Sequence, residues 1–183
     1  MPRARPRYAL LLRGVNVGGH KRVPMADLRQ LLEGLGYDRV RTLLNSGNAV
    51  FDTARAMPAT RLAAVIDSAI EARFGFTARA FVLTASDVDL VVAENTLPTP
   101  DNPSRSMVAF LAAAADREKL LPLTRQSWNV EAIVVGSRAV YVSCPAGILE
   151  SPLFDAVGRA LGAAVTTRNW ATTLKLQALC RQA

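Results

Sequence analysis

From Tyr8 to Leu12 the chain is an uninterrupted apolar run that stops at Arg13, and a run this short and dense predicts a buried strand. A Gly-rich loop, Arg13 to Gly19, follows it. Pro24 suits a first helical turn, and Met25, Leu28, Leu31 and Leu32 fall at helical spacing before Gly34 and Gly36 end the pattern. Val40 to Leu44 and Ala49 to Phe51 read as strands around a hairpin turn at Asn45-Ser46-Gly47-Asn48. A second helix is predicted from Pro58 to Phe74, with Leu62, Val65, Ile66, Ala69 and Ile70 on one face and Gly75 at its end. Arg79 to Leu83 reads as a strand, followed by a helix from Ser86 to about Asn95 that starts on Ser86, Asp87 and Asp89.

Leu97 to Ser104 holds three prolines and an Asn-Pro step and reads as a linker. Beyond it the pattern recurs: strand Met107 to Leu111, helix near Asp116 to Leu121, strand Val130 to Val135, turn at Gly136-Ser137, strand Ala139 to Ser143, helix Pro152 to Leu161. Ala164 to Thr167 is a very short strand at best, and Asn169 to Arg181 reads as a helix capped by Thr167 or Asn169. Two βαββαβ halves predict an α+β protein of two ferredoxin-like plaits. Each has an antiparallel sheet with helices on one face, and further helices are added to them. The expected organisation is a first lobe over 1–96, a linker over 97–105 and a second lobe over 106–183. In such a plait the first and second strands run in the same direction. The Arg13 to Lys21 loop, the Asn45 to Asn48 turn and the Glu71 to Phe76 segment are therefore expected to meet at one edge of the first sheet.

Charge sharpens this expectation. The chain has 183 residues with 22 Lys plus Arg against 15 Asp plus Glu, a formal net charge of +7. Residues 1–60 hold ten of the cations and four of the anions, a net of +6, which leaves +1 for the other 123 residues. The asymmetry points to an anionic partner, whether nucleic acid, phosphate or carboxylate. Arg accounts for 19 of the 22 cations, which a GC-rich genome would also produce. Cys144 and Cys180, far apart in sequence, fit a reducing compartment and no metal spacing, so a cytoplasmic location is expected. The amino end carries Arg3, Arg5 and Arg7, but the apolar run that follows is too short for a signal sequence. No stretch nears the roughly 18 consecutive apolar residues of a membrane span.

The strand-to-helix loop Arg13-Gly14-Val15-Asn16-Val17-Gly18-Gly19-His20-Lys21-Arg22 combines glycines, which let backbone N–H groups approach a ligand, with four basic or titratable side chains. With a helix N-terminus beside it, the loop has the parts of a phosphate or carboxylate cradle. Its glycine spacing matches neither a P-loop nor a dinucleotide fingerprint. Arg13, Asn16, Gly18, Gly19 and Lys21 are the candidate ligand-binding residues there, joined by Ser46 and Asn48 from the turn. Arg168 is the candidate in the second lobe, because a guanidinium at a helix start is electrostatically unfavourable without a carboxylate or a bound anion. Trp170, Leu174 and Ala178 are expected to pack against the core.

Leu11 to Gly19, Asn45 to Asn48 before a strand, Arg73-Phe74-Gly75-Phe76 and Thr166-Thr167-Arg168-Asn169-Trp170 together resemble the bacterial domain-of-unknown-function 1697 family (DUF1697), in order and spacing from about Tyr8 to Leu179. The resemblance implies a bacterial cytosolic protein of two plait-like subdomains and no assigned activity. The chain departs from the family pattern at Ala49, Ala171 and Leu174.

His20 is the one histidine, and no nucleophile motif, acid/base pair or metal-ligand cluster is recognisable, so no catalytic residue, metal or cofactor is assigned. Tyr8 and Phe51 are the only aromatic residues on the central strands of the first lobe, too few for an RNA-binding sheet face. The expectation is a protein that binds a small anionic or phosphorylated ligand at the loop and turn edge. The alternatives are an enzyme on an anionic substrate, a nucleic-acid-binding protein using the basic first lobe, and an interaction module without a ligand.

Overall fold

The structure is a computed structural model that describes residues 5–99 and 101–182. Arg3 at the amino end and Pro100 in the expected linker lie outside the described residues. The chain divides into two units: one runs up to Val88 and takes in the chain from Lys175 onward, and the other is Asp89–Leu174. The boundaries fall inside the third and fifth helices.

The first unit is built from β1 (Arg7–Leu12), α1 (Met25–Gly34), β2 (Asp38–Leu43), β3 (Asn48–Asp52), α2 (Ala59–Phe74) and β4 (Ala80–Thr84). Its sheet is antiparallel in the order β2-β3-β1-β4, the plait arrangement the sequence predicts. Tyr8, Leu10 and Leu12 of β1, with Ala49, Phe51, Ala80 and Val82 of the flanking strands, meet Leu28 and Leu32 of α1 and Leu62, Ile66 and Ile70 of α2. Each fully buried Leu, Ile or Phe among them contributes on the order of 1.5–3 kcal/mol. Ala9, Leu11, Val50, Phe81 and Leu83, on the opposite face, are buried too. A sheet covered on both faces explains why β1 reads as a continuous apolar run rather than an alternating one.

The strand after α2 starts one residue later than expected and runs directly into α3 (Ala85–Ala93). The helix is not opened by Ser86. Thr84 and Asp87 form a reciprocal box, Asp87 N donating to Thr84 Oγ1 and Thr84 N to Asp87 Oδ2, both at 3.0 Å.

The second unit repeats the topology with β5 (Ser106–Leu111), β6 (Ala132–Val135), β7 (Ala139–Ser143), α4 (Pro152–Leu161) and β8 (Val165–Asn169), in the order β6-β7-β5-β8. Two expectations are corrected here. The first crossover is not an α-helix but a 3-10 segment, Ala114–Leu120, followed by a shorter one, Leu123–Arg125. Pro122 breaks the run before a third turn can form. The last strand is a full five residues, because β-branched Val165, Thr166 and Thr167 pair with Ala109 to Leu111 of β5 and the ladder continues to Asn169 opposite Met107. α5 (Trp170–Arg181) follows at once, with Asn169 Oδ1 accepting Thr172 N at 2.8 Å as its cap. Trp170 is buried as expected, but Leu174 and Ala178 are exposed, and Thr172, Thr173, Leu176 and Cys180 take the other buried positions of this helix.

Candidate functional site

β1 and β2 end at the same edge of the first sheet, so the segments that follow them adjoin. Leu12 N donates to Gly47 O at 2.8 Å and Arg13 N to Arg79 O at 2.9 Å, which brings the loop, the turn and the approach to β4 together. Lys21 Nζ donates to Thr77 O at 2.9 Å, just beyond the end of α2. Gly47, at φ 74°, lies where a Cβ would sit 2.7 Å from both Leu12 and Val15, so the turn closes on the loop only without a side chain.

The loop is a miniature hairpin. Val17 pairs with His20 across Gly18 and Gly19, whose φ values of 62° and 78° give the two left-handed positions a tight two-residue turn requires. Asn16 fastens it. The Asn16 side chain donates Nδ2 to Val23 O at 2.9 Å and to Asn45 O at 2.7 Å, and its Oδ1 accepts Val23 N at 2.8 Å. Three hydrogen bonds hold this residue at φ 57°, a conformation Asn tolerates better than most.

Against this scaffold lies a cavity of about 600 Å³ lined by Asn16, Gly19, Arg22, Val23, Pro24, Met25, Ala26 and Asn45. One wall is the first turn of α1, whose initial N–H groups have no partner within the helix. The opposite wall is the asparagine-pinned loop and turn. Arg22, exposed beside it, is the cation of the lining.

Of the residues the sequence marked, the cavity gathers Asn16 and Gly19. Arg13, Gly18, Lys21 and Ser46 belong to the same edge but do not line it. Asn48 is buried in β3, where its Nδ2 donates to Leu43 O at 3.0 Å and Ser46 Oγ at 2.9 Å, so its amide closes the hairpin. Arg22 and Asn45 were within the segments read from the sequence, yet nothing in their residue types set them above their neighbours.

Arg168 is in the other unit and does not start a helix. It lies inside β8 opposite Val108, 9% exposed, and donates Nη1 to Thr166 Oγ1 at 3.1 Å and Thr167 O at 2.7 Å. Burial pushes its pKa down to about 10. Arg168 stands one residue before Asn169, the cap of α5, and its guanidinium is held by Thr166 and Thr167 of its own strand.

The other perturbed groups stand apart from the cavity. Asp52 is fully buried and receives Arg7 through two bonds, Nε at 2.7 Å and Nη2 at 3.2 Å, together with Arg39 Nε. Burial acts to raise its carboxyl, but hydrogen bonds from Arg7 and then Arg39 outweigh this and hold it below the ordinary value. Burial raises Asp67 and the Cys144 thiol. Among the described residues no three of His, Cys, Asp and Glu gather as a metal site would require, and no helix is long and apolar enough to cross a membrane.

Fold and edge together define an α+β protein of two plaits, each with a four-stranded antiparallel sheet. The chain belongs to the DUF1697 family of proteins of unknown function, whose model matches residues 6–141. No curated protein matches it. Among solved structures it is similar to the conserved bacterial protein SP0830 from Streptococcus pneumoniae, with 23% sequence identity and a TM-score of 0.74 over 97% of this chain and 100% of that one.

Proposed function

We propose that this is a cytoplasmic protein that binds a small anionic or phosphorylated ligand at the edge formed by the Arg13–Lys21 loop and the Asn45–Asn48 turn. The observation that carries the reading is the cavity of about 600 Å³, a volume suited to a metabolite-sized ligand, between a helix N-terminus, a Gly-Gly turn and Arg22. The unpaired N–H groups of α1 and the guanidinium of Arg22 receive the anion. Val23, Met25 and Ala26 flank the rest of the molecule, while Asn16 and Asn45 keep the walls apart.

Binding is favoured over catalysis because the shifted carboxyls and thiol, Asp52, Asp67 and Cys144, do not line this cavity. Stacking of RNA bases is disfavoured because Tyr8 and Phe51 are buried against each other in the core, with ring centroids 5.8 Å apart.

A thermal-shift screen against nucleotides, sugar phosphates, carboxylates and short oligonucleotides tests the reading. A ligand at 100 times its dissociation constant stabilises by about 2.7 kcal/mol. A hit that Arg22→Ala abolishes supports it. No hit in the panel, or a hit indifferent to Arg22→Ala, overturns it. An oligonucleotide hit whose affinity falls steeply with salt moves the weight to nucleic-acid binding.

A further inference from the structure

A second cavity in the first unit, about 520 Å³, is lined by Arg29 and Glu33 of α1, residues 39–42 of β2 and Leu179 of α5. It shares no residue with the loop and turn cavity. β2 is an edge strand, and its ladder with β3 shifts register between Asp38 and Arg41, where Arg39 takes φ 50°. A non-glycine residue held in the left-handed region by its surroundings is costly and is enriched at ligand sites. The irregular edge is poorly suited to adding another strand. It places Arg39 and Arg41 beside Arg29 instead.

These three guanidinium groups are anchored rather than free to swing. Arg39 donates Nε to the buried Asp52, Arg41 donates Nη1 to Gln182 Oε1, and Arg29 donates Nε to Glu33 Oε1 at 2.9 Å. Each bond uses one end of a five-donor fork. Among the described residues the Nη groups of Arg29 and Arg39, and Nε and Nη2 of Arg41, have no other partner, and Arg29 and Arg39 are 59% and 49% exposed. The Thr42 hydroxyl stands in the same lining.

The local charges do not balance. Asp52 serves both Arg7 and Arg39, and Glu33 serves Arg29. Arg7 and Asp52 stand outside the lining and offset each other, so the lining itself holds Arg29, Arg39 and Arg41 against Glu33, an excess of two positive charges. A phosphate monoester carries about −1.5 to −2 charge near neutral pH and three acceptor oxygens, which matches both the excess and the planar donor forks. We infer that the cavity between α1 and β2, lined by Arg29, Arg39, Arg41 and Thr42, is an oxyanion site for a phosphate-type dianion. It is separate from the site proposed at the loop and turn edge.

The probe is inorganic phosphate, titrated into the full chain at constant ionic strength and followed by amide and arginine side-chain NMR shifts. Chloride is the control for screening and succinate the control for a dicarboxylate. Saturable shifts at Arg29, Arg41 and Thr42 are expected with phosphate, weakened about tenfold or more by Arg41→Gln or Arg29→Gln and unchanged by Arg22→Ala. Arg39 is left intact, since its loss would expose the buried Asp52. Equal shifts with chloride, no saturation, or indifference to both glutamine variants overturns the inference. Saturation by succinate in place of phosphate overturns the phosphate assignment. Failure of the loop and turn site alone is read separately, at Gly19 and Arg22.

Discussion

Asp52→Asn is the most demanding test of the first unit, because this carboxylate has no exposed surface and two arginines converge on it. Arg7, with only 14% of its side chain exposed, makes the fork with both carboxylate oxygens. Breaking a buried pair by removing one partner costs about 3–5 kcal/mol. Arg39 is half exposed and adds little more, on the scale of a surface pair, at under about 1 kcal/mol. Asparagine keeps the shape and one acceptor oxygen, which recovers part of the loss. The expected net destabilisation at pH 7 is about 3 kcal/mol, equal to a roughly hundredfold acceleration of amide exchange in the β1–β3 ladder. Both tryptophans, Trp128 and Trp170, belong to the other unit, so far-UV circular dichroism and amide exchange are the appropriate readouts rather than fluorescence.

The pH dependence follows from the direction of the shift. The folded carboxyl titrates below its unfolded value. Its contribution is therefore fully present above about pH 4 and is lost as the pH falls through the lower folded pKa. Wild type and Asp52→Asn should differ by the full amount at pH 7 and converge in urea denaturation as the pH falls through the lowered folded pKa. A loss under about 1 kcal/mol at pH 7, or a difference that persists undiminished into acid, refutes the account of Asp52 as the ionised counterion of Arg7.

Gly47→Ala and Gly18→Ala separate crowding from backbone conformation. Gly47 combines φ 74° with a Cβ position 2.7 Å from Leu12 and Val15, so about 3 kcal/mol should be lost. Gly18, at φ 62° in open space, should lose about 1 kcal/mol in the same thermal melts. Asn16→Ala strands Val23 N–H, Val23 C=O and Asn45 C=O and leaves alanine at φ 57°, so amide exchange at Val23 should quicken and ligand binding at the loop cavity should be lost. Asn16→Asp keeps the Val23 N–H bond and loses the other two, and should fall between. Cys144 and Cys180 are buried, and burial raises the Cys144 thiol, so neither should react with a disulfide reagent at pH 8 until the protein unfolds. Rapid labelling of the native protein would contradict this burial.

The architecture was legible because both halves carry the same strand, crossover, hairpin, helix and strand pattern, and because turn residues mark the hairpins. Ser46-Gly47 is an example: only glycine fits against Leu12 and Val15, and the sequence offers glycine there. Propensity misled where it met chain length. Asp116 to Leu121 is helix-forming by composition, but Pro122 leaves too few residues for α-helical turns to propagate, and the segment settles into a 3-10 form. Ala164 to Thr167 reads as a very short strand because the strand character of Val165 to Asn169 depends on β5, a partner more than 50 residues away, rather than on local apolar alternation.

The edge itself followed from topology alone, whereas the roles within it did not, and hydrogen-bond accounting explains why. Asn16 and Asn48 look like ligand amides in sequence, but a polar side chain close to backbone groups that lack partners is drawn to them first. Asn16 spends both of its donor hydrogens and an acceptor on Val23 and Asn45, and Asn48 spends its donors on Leu43 and Ser46. Lys21 is likewise engaged with Thr77. Residues with the strongest apparent chemistry became the frame of the site. The charge that faces the cavity is left to Arg22, whose residue type does not separate it from the cations around it.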